Sequence, residues 1–437
     1  MSGSHFSFTV YLIASVVVFL DLFDFLARMY WRRIQSRPAH SREPASPTSI
    51  PLNVGRFNPY QRKLHLQPYA LAISVYNLGD GVAMFVEAMA PHRGRLYVID
   101  DASTDNTAYH LENAGLQVIR GSANRHKPGA IRELLRHLPK SVQTILIMDP
   151  DSRVLELVKS DISTLESVIF DFQRTGHAAL CPRILVRGSG WLARFQKLEY
   201  ALTFGVGRKS LGDASITSGV AVYRRDALET MLTEHSLSVY AEDLENALRL
   251  LARGEHIYYD ERLVFDTEVK TRVAGLFSQR VGWSFGLAKV YTQNGRVLWR
   301  ILRVNPMRFY QYAVYLGLFS IAFHPLKLLS LVPLCASAAN GVDWLLGTHA
   351  IPDNDLTCLW YFPFVYLKYT ALTALMVRIA VPRGERRRHY PVSLAYLFYA
   401  VAQLAPMTVG FLNWIFLRLS GRRLYRDHFA DDAHAHG

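Results

Sequence analysis

Four long apolar runs constrain this chain more than any other feature. Residues 6–26, 309–334, 359–381 and 391–417 carry few charges and many aromatic side chains. Each is long enough to cross a hydrocarbon layer of about 30 Å. A buried core helix could explain any one of them, but it explains four together poorly. The runs also account for a chain that is 50% hydrophobic and only 19% charged, too apolar a balance for a plain cytosolic enzyme. The first run has only Asp21 and Asp24 near its end, and Arg28, Arg32, Arg33, Arg37 and Arg42 follow it. By the positive-inside rule, this asymmetry puts the N-terminus outside and the following domain in the cytoplasm. The run lacks a basic leader and a small-residue cleavage site, so it does not read as a removable signal peptide.

The net charge is +13. Nucleic-acid binding is one reading of such a basic chain, but the arginines flank the apolar runs, which favours a membrane and no nucleic-acid partner. Cys181, Cys335 and Cys358 are too far apart for a disulfide framework, a zinc knuckle or a redox pair.

Between the first run and the later ones the pattern changes twice. Residues 37–67 are rich in Pro, Ser and Arg and read as a linker along the membrane surface. Strands then alternate with helices, which predicts a largely parallel sheet. Strands are expected at 70–75, 96–99, 116–120, 144–148, 178–182 and 220–223. Helices are expected at 81–90, 106–114, 127–138, 155–175 and 242–253, with Asp105 or Thr104 capping the second. Residues 290–308 mix Val297, Leu298, Trp299, Ile301, Leu302 and Val304 with Arg296, Arg300, Arg303 and Arg308. They read as a basic amphipathic helix in the headgroup region, or else as a surface helix packed on the domain. Both Arg383–Arg388 and the arginines at 418–426 belong in the cytoplasm, so 391–417 cannot be one simple crossing. A break is expected near Pro406, with three to five crossings in all. The expected domains are 1–30 (membrane helix), 31–68 (basic linker), 69–289 (cytosolic α/β domain), 290–308 (interfacial helix), 309–420 (membrane region) and 421–437 (polar tail).

Carboxylates gather where the strands run out. Asp149 and Asp151 stand at i and i+2 beyond the apolar strand 144–148, and alternate residues of an extended segment face the same way. Both can therefore point at one hard cation, in the region where open α/β sheets bind ligands. Such an ion would neutralise a diphosphate. The later pair Glu242-Asp243 opens a helix, where Asp243 could deprotonate an acceptor or the two acids could simply cap the helix.

These residues fall in a recognisable order. Asp100-Asp101-Ala102-Ser103-Thr104-Asp105-Asn106-Thr107 resembles the D-D-x-S-x-D-x-T nucleotide-binding turn of family 2 glycosyltransferases. Val75-Tyr76-Asn77 resembles that family's first nucleotide-contacting segment, although Ser74 and Leu78 stand where proline and glutamate are common. Lys127 with Gly129-Ala130 looks like the basic helix start before the metal strand, and Asp149-Pro150-Asp151 like the D-x-D itself. Thr217-Ser218-Gly219, followed by Arg224-Arg225-Asp226-Ala227-Leu228, resembles the acceptor-side segment, and Glu242-Asp243 the E-D pair with its general base. Gln279-Arg280-Val281-Gly282-Trp283 resembles the Q-x-x-R-W signature of the membrane synthases that make cellulose, hyaluronan, chitin and poly-N-acetylglucosamine. Gly282, however, stands in the arginine position, and glycine cannot replace a guanidinium.

The resemblance spans about residues 70–288. It implies a GT-A-like, mostly parallel sheet with helices on both faces, joined to α-helical transmembrane segments. The implied enzyme is an inverting transferase in the plasma membrane, multi-pass, with its catalytic domain in the cytoplasm. Its donor would be a nucleotide-diphosphate sugar, UDP-linked, with Mg²⁺ or Mn²⁺. Its partners would be a glycan or lipid acceptor, the lipid bilayer and accessory export proteins. Asp243 and Glu242 would be catalytic. Tyr76, Asp100, Asp101, Lys127, Asp149, Gln279 and Arg280 would bind the nucleotide sugar, and Asp149 and Asp151 the metal. Ser218, Gly219 and Trp283 would meet the acceptor, with Gly219 allowing its close approach, although Trp283 also suits core packing. A growing polysaccharide and a single lipid acceptor remain alternative products. Gly282 and Leu78 also keep open a protein that retained the fold and lost catalysis.

Overall fold

The computed structural model describes residues 23, 26–30, 65–155, 163–236, 240–354 and 357–425. Most of the first apolar run, the linker up to residue 64 and the tail beyond residue 425 lie outside the described residues.

The strands are β1 (Tyr69–Val75), β2 (Leu96–Asp100), β3 (Val118–Arg120), β4 (Thr144–Ile147), β5 (Arg153–Val154), β6 (Ala179–Arg187), β7 (Ala221–Arg224) and β8 (Ile257–Glu268). They form one sheet in the order β3-β2-β1-β4-β7-β6-β8-β5. From β3 to β4 every pairing is parallel. β7 then runs antiparallel between β4 and β6, β6 and β8 are parallel, and β5 closes the edge antiparallel to β8.

β1 and β4 are almost continuously apolar because both of their faces are covered. Ala70, Ala72, Ile145 and Ile147 face one core, filled by Ile131 and Leu134 of helix His126–Leu134 and by Leu244, Leu248 and Leu251 of helix Glu242–Ala252. Leu71, Ile73 and Leu146 face the other, filled by Phe85 and Met89 of helix Gly81–Met89 and by Leu165, Val168 and Ile169 of helix Thr164–Phe172. Adjacent strand residues alternate between these cores, so a register slip of one residue would exchange them.

Three expectations need correction. β8 was not foreseen. The helix expected from residue 155 starts at Thr164 within the described residues, and the Leu155 amide instead donates to the Val264 carbonyl (2.9 Å), extending the edge pairing. The amphipathic segment at 290–308 is not one helix. Val273–Gln293 ends, Asn294 interrupts, and Gly295–Val304 follows. In that short helix Ile301 is fully buried with Val297 and Leu298 against the core, while Trp299 and Val304 face outward.

Among the described residues two helical stretches, Phe319–Leu345 and Arg386–Ser420, are long and apolar enough to cross a membrane by length and composition. Helix Tyr361–Ala380 lies between them in sequence. The second stretch is two consecutive helices that meet at Gln403, with Pro406 in the first turn of the latter, where a missing N–H costs nothing. Trp344, Leu345, Trp360, Phe364, Leu367, Phe398, Ile415 and Leu419 are exposed on this region.

Candidate active site

Asp149 and Asp151 lie just past the carboxyl end of β4, and the turn between them is closed by the Ser152 amide donating to the Asp149 carbonyl (3.0 Å). Thr267 on β8 donates to Asp151 Oδ1 (3.0 Å), and Arg187 on β6 donates to the Asp151 carbonyl (2.6 Å) while pairing with Asp266. Burial, followed by the neighbouring Asp149, pushes the Asp151 carboxyl above the usual range. Two close, partly desolvated carboxylates repel, and a hard cation relieves that repulsion. Among the described residues no group of three or more His, Cys, Asp and Glu side chains gathers around a metal position. Two neighbouring carboxylates are a donor set with which a hard ion such as Mg²⁺ is often held, completed by phosphates and water.

Lys127 sits at the start of helix His126–Leu134, where its ammonium contacts the Asp149 carboxylate and the Gly219 carbonyl (2.7 Å) and lies 4.0 Å from Glu242. Burial pulls this ammonium down, but Asp149 and Glu242 outweigh burial and hold it above its ordinary value. Gly219 also stands close against a side chain of the site. A Cβ at this position would collide with Asp149 Oδ2 and lie 2.9 Å from Asp149 Cγ. The close approach that glycine permits is thus to the Asp149 carboxylate.

Glu242 and Asp243 open helix Glu242–Ala252. Ala241, just before them, is left-handed at φ 59°, a conformation that costs a non-glycine residue about 1–2 kcal/mol. Packing enforces it, because Tyr240 and Ala241 lie against two glycines of helix Val273–Gln293. A Cβ on Gly282 would lie 2.6 Å from Tyr240 Cζ, and one on Gly286 would lie 2.6 Å from Tyr240 Cβ. The ring of Tyr240 therefore fills the space an arginine at 282 would need. The Asp243 carboxylate accepts from the Leu244 amide (2.8 Å), and its carbonyl accepts from Thr217 Oγ1 (2.9 Å). Burial raises both acids above the ordinary carboxylate range; Lys127 opposes the rise at Glu242, and Arg208 is the foremost opponent at Asp243.

A cavity of about 680 Å³ joins Asp149, Asp151, Glu242 and Asp243 to Ser218, Gly219, Gln279, Arg280 and Trp283. It continues between the later helices as far as Leu316, Ser320, Gln403 and Met407. The expected acceptor-side and metal-side residues thus share one space. Arg280 is already engaged: its two terminal nitrogens fork onto Glu199 (2.7 Å each), and its guanidinium stacks 4.2 Å from the Trp283 ring centroid. Arg280 thus lines the cavity with its guanidinium paired to Glu199.

Tyr76, Asp100 and Asp101 lie apart from this cavity, at the carboxyl ends of β1 and β2. There the Asp101 carboxylate accepts from the Arg125 amide (2.9 Å), and burial pushes its carboxyl up to about 6. Asp100 accepts from Ser103, and Asn77 is clipped to Ser103 and Thr104. Asp105 accepts from the Thr107 and Gly79 amides (2.9 and 3.1 Å), but it stands one residue before the N-cap expected of it: Asn106 holds that position, without a side-chain cap bond. These bonds tie the loops after β1 and β2 to one another. Sequence reasoning missed Thr267, Arg187, Glu199, Arg208 and Tyr240. No motif marks them, and β8, which carries Thr267, is broken in sequence by buried acids.

The family model described as Glycosyl transferase family group 2 matches residues 144–380. Poly-β-1,6-N-acetyl-D-glucosamine synthase of Staphylococcus epidermidis is 24% identical over 226 residues, covering 49% of this chain and 52% of that protein. The synthase of the same name from Staphylococcus aureus strain MSSA476 is 25% identical over 231 residues, covering 51% and 55%. The chain thus spans about half the length of the curated relatives it matches. A mannosyltransferase from Pyrobaculum calidifontis, solved with GDP-Man and Mn²⁺, superposes with a TM-score of 0.54 at 16% identity, covering 92% of this chain and 99% of that one. This likeness shows that the sheet and its flanking helices have the GT-A arrangement. With the family match covering more than half of its length, the chain belongs to glycosyl transferase family group 2 and is a glycosyltransferase homologous to polysaccharide synthases.

Proposed function

We propose that this protein transfers a sugar, with inversion, from a UDP-linked donor onto a growing polysaccharide at a membrane. The observation that carries the reading is the meeting of Asp149, Asp151 and Asp243 in one cavity that continues among the apolar helices. The donor's base and ribose would lie over Tyr76, Asp100 and Asp101, with Lys127 and Gln279 toward its diphosphate. A divalent ion, Mg²⁺ or Mn²⁺, held by Asp149 and Asp151, would offset charge on the departing diphosphate. Asp243 takes the proton of the acceptor hydroxyl as that oxygen bonds to the anomeric carbon from the face opposite the leaving group. The bond from the anomeric carbon to the diphosphate oxygen breaks, and UDP leaves with the electron pair. Glu242 supports the base from the same helix turn. Ser218, Gly219 and Trp283 would shape the acceptor end, where the Trp283 ring is 40% exposed and can stack on a sugar.

The exposed apolar side chains of the C-terminal helices support a multi-pass membrane setting, because water would leave that surface unfavourably bare. The arginine asymmetry supports a cytoplasmic catalytic domain in the plasma membrane, and accessory export proteins would act beyond the apolar helices. The domain limits at 69–289 and 309–420 belong to the same reading. The name of the curated relatives makes N-acetylglucosamine the first sugar to test. Gly282 favours a second reading, transfer of one sugar to a lipid. Washed membranes fed individual labelled UDP-sugars with Mn²⁺, followed by mass spectrometry of the products, test both. A polymer ladder supports the first reading, a lipid carrying one sugar supports the second, and no UDP release from any donor refutes both.

A further inference from the structure

Among the described residues Arg208 has nothing to hold, whereas Arg280 of the same cavity is paired with Glu199. Arg208 lines the same space as Asp243 and Trp283. Its Nε is buried without a hydrogen-bond partner, and no nitrogen of Arg208 makes an ion pair or hydrogen bond among the described residues. Among the described residues its one ring contact is Phe204, 5.9 Å away. A guanidinium presents five donors, and leaving them unfilled in a partly dry cavity is costly unless a ligand fills them.

The backbone that delivers this side chain is unusual as well. Arg208 ends the π-helical segment Thr203–Arg208, a winding that occurs frequently at functional sites. The segment is wedged in place, because a Cβ on Gly205 would lie 2.7 Å from Ala380 Cβ and 3.0 Å from the Ala380 carbonyl. Asp243 faces the same cavity, and although burial drives its carboxyl up, the charge of Arg208 leads the groups that draw it back. Asp149, Asp151, Glu242 and Asp243 make the cavity a poor host for an anionic acceptor. A neutral, oxygen-rich ligand suits a lone guanidinium there.

We infer that Arg208 is an acceptor-binding residue, donating hydrogen bonds to the hydroxyl oxygens of a neutral glycan next to the hydroxyl that Asp243 deprotonates. This rests on the proposed role of Asp243, and the test separates the two. The full chain in detergent is assayed with the UDP-sugar that the membrane assay identifies and a disaccharide of the same sugar as the probe acceptor, while UDP with Mn²⁺ reports the donor site. Arg208→Ala removes no hydrogen bond or ion pair among the described residues, so the fold and UDP affinity should be unchanged. The acceptor KM should rise about 10- to 100-fold, the usual worth of a hydrogen bond to a charged group. Arg208→Lys should recover only part of the loss, since it keeps the charge but not the fork. Added methylguanidinium should restore Arg208→Ala but not Asp243→Asn. The inference is overturned if Arg208→Ala leaves the acceptor KM unchanged, or if it weakens UDP binding. Normal transfer by Asp243→Asn would instead sink the base assignment, whatever Arg208 does.

Discussion

Restoring the arginine that synthases carry in their Q-x-x-R-W motif should damage this enzyme. The Tyr240 ring occupies the space above Gly282, where a new Cβ would lie 2.6 Å from Cζ and 3.0 Å from Cδ1. Reaching ordinary carbon–carbon separation requires the ring to retreat by about 1 Å. Overpacking of this kind costs about 1–3 kcal/mol. The retreat cannot stay local, since the Tyr240 backbone is pinned over Gly286 and leads through left-handed Ala241 into Glu242 and Asp243. A misplacement of about 1 Å at a reacting group can lower the rate about 100-fold. Gly282→Ala should therefore cut transfer by about 10- to 100-fold, and Gly282→Arg by at least as much. UDP binding with Mn²⁺ should persist in both, because Asp149, Asp151 and the β1–β2 loops are not displaced. The assay is kcat for UDP release beside UDP affinity by calorimetry on the same preparation. If Gly282→Arg raises kcat, the ring yields freely and Tyr240 does not position the acids.

The metal side can be probed in the same way. Gly219→Ala should push the Asp149 carboxylate off its contact with Lys127, raising the Mn²⁺ concentration needed for half-maximal activity; an unchanged Mn²⁺ titration would refute the collision. Asp151→Ala should abolish transfer and weaken UDP binding only when Mn²⁺ is present, whereas activity that survives both this change and EDTA would refute the metal site. Asp101 is raised from 3.8 to about 6 by burial, so its stabilising contribution is present below about pH 4 and lost as pH rises through about 6. Asp101→Asn can keep the bond from the Arg125 amide, and should flatten the fall in melting temperature across that window; an unaltered pH slope would contradict the burial argument.

The parallel half of the sheet was legible because β1, β2 and β4 are apolar runs punctuated by turn residues, and their ends carry the acids. The other half was not. β8 contains Asp260, Glu261, Arg262 and Asp266 within its length, and only tertiary pairing makes that tolerable. Asp260 and Asp171 share Arg262, and Asp266 holds Arg153 and Arg187. The same limit applies at the site. Asp149, Asp151 and Asp243 announce themselves by spacing, but the Glu199 partner of Arg280 was not legible because it lies 81 residues away in sequence. Gly282 read as a defect because nothing in the sequence tells that Tyr240 packs there.

The most direct test of the whole account is transfer by Asp243→Asn, measured beside Glu242→Gln. The amide keeps the size and much of the hydrogen bonding of the carboxylate and removes only the proton acceptor. Transfer by Asp243→Asn should fall about 10²- to 10⁴-fold, with UDP–Mn²⁺ affinity nearly unchanged and a smaller loss for Glu242→Gln. Normal transfer by Asp243→Asn, or a loss of UDP binding as severe as that of Asp151→Ala, would contradict its role as the base.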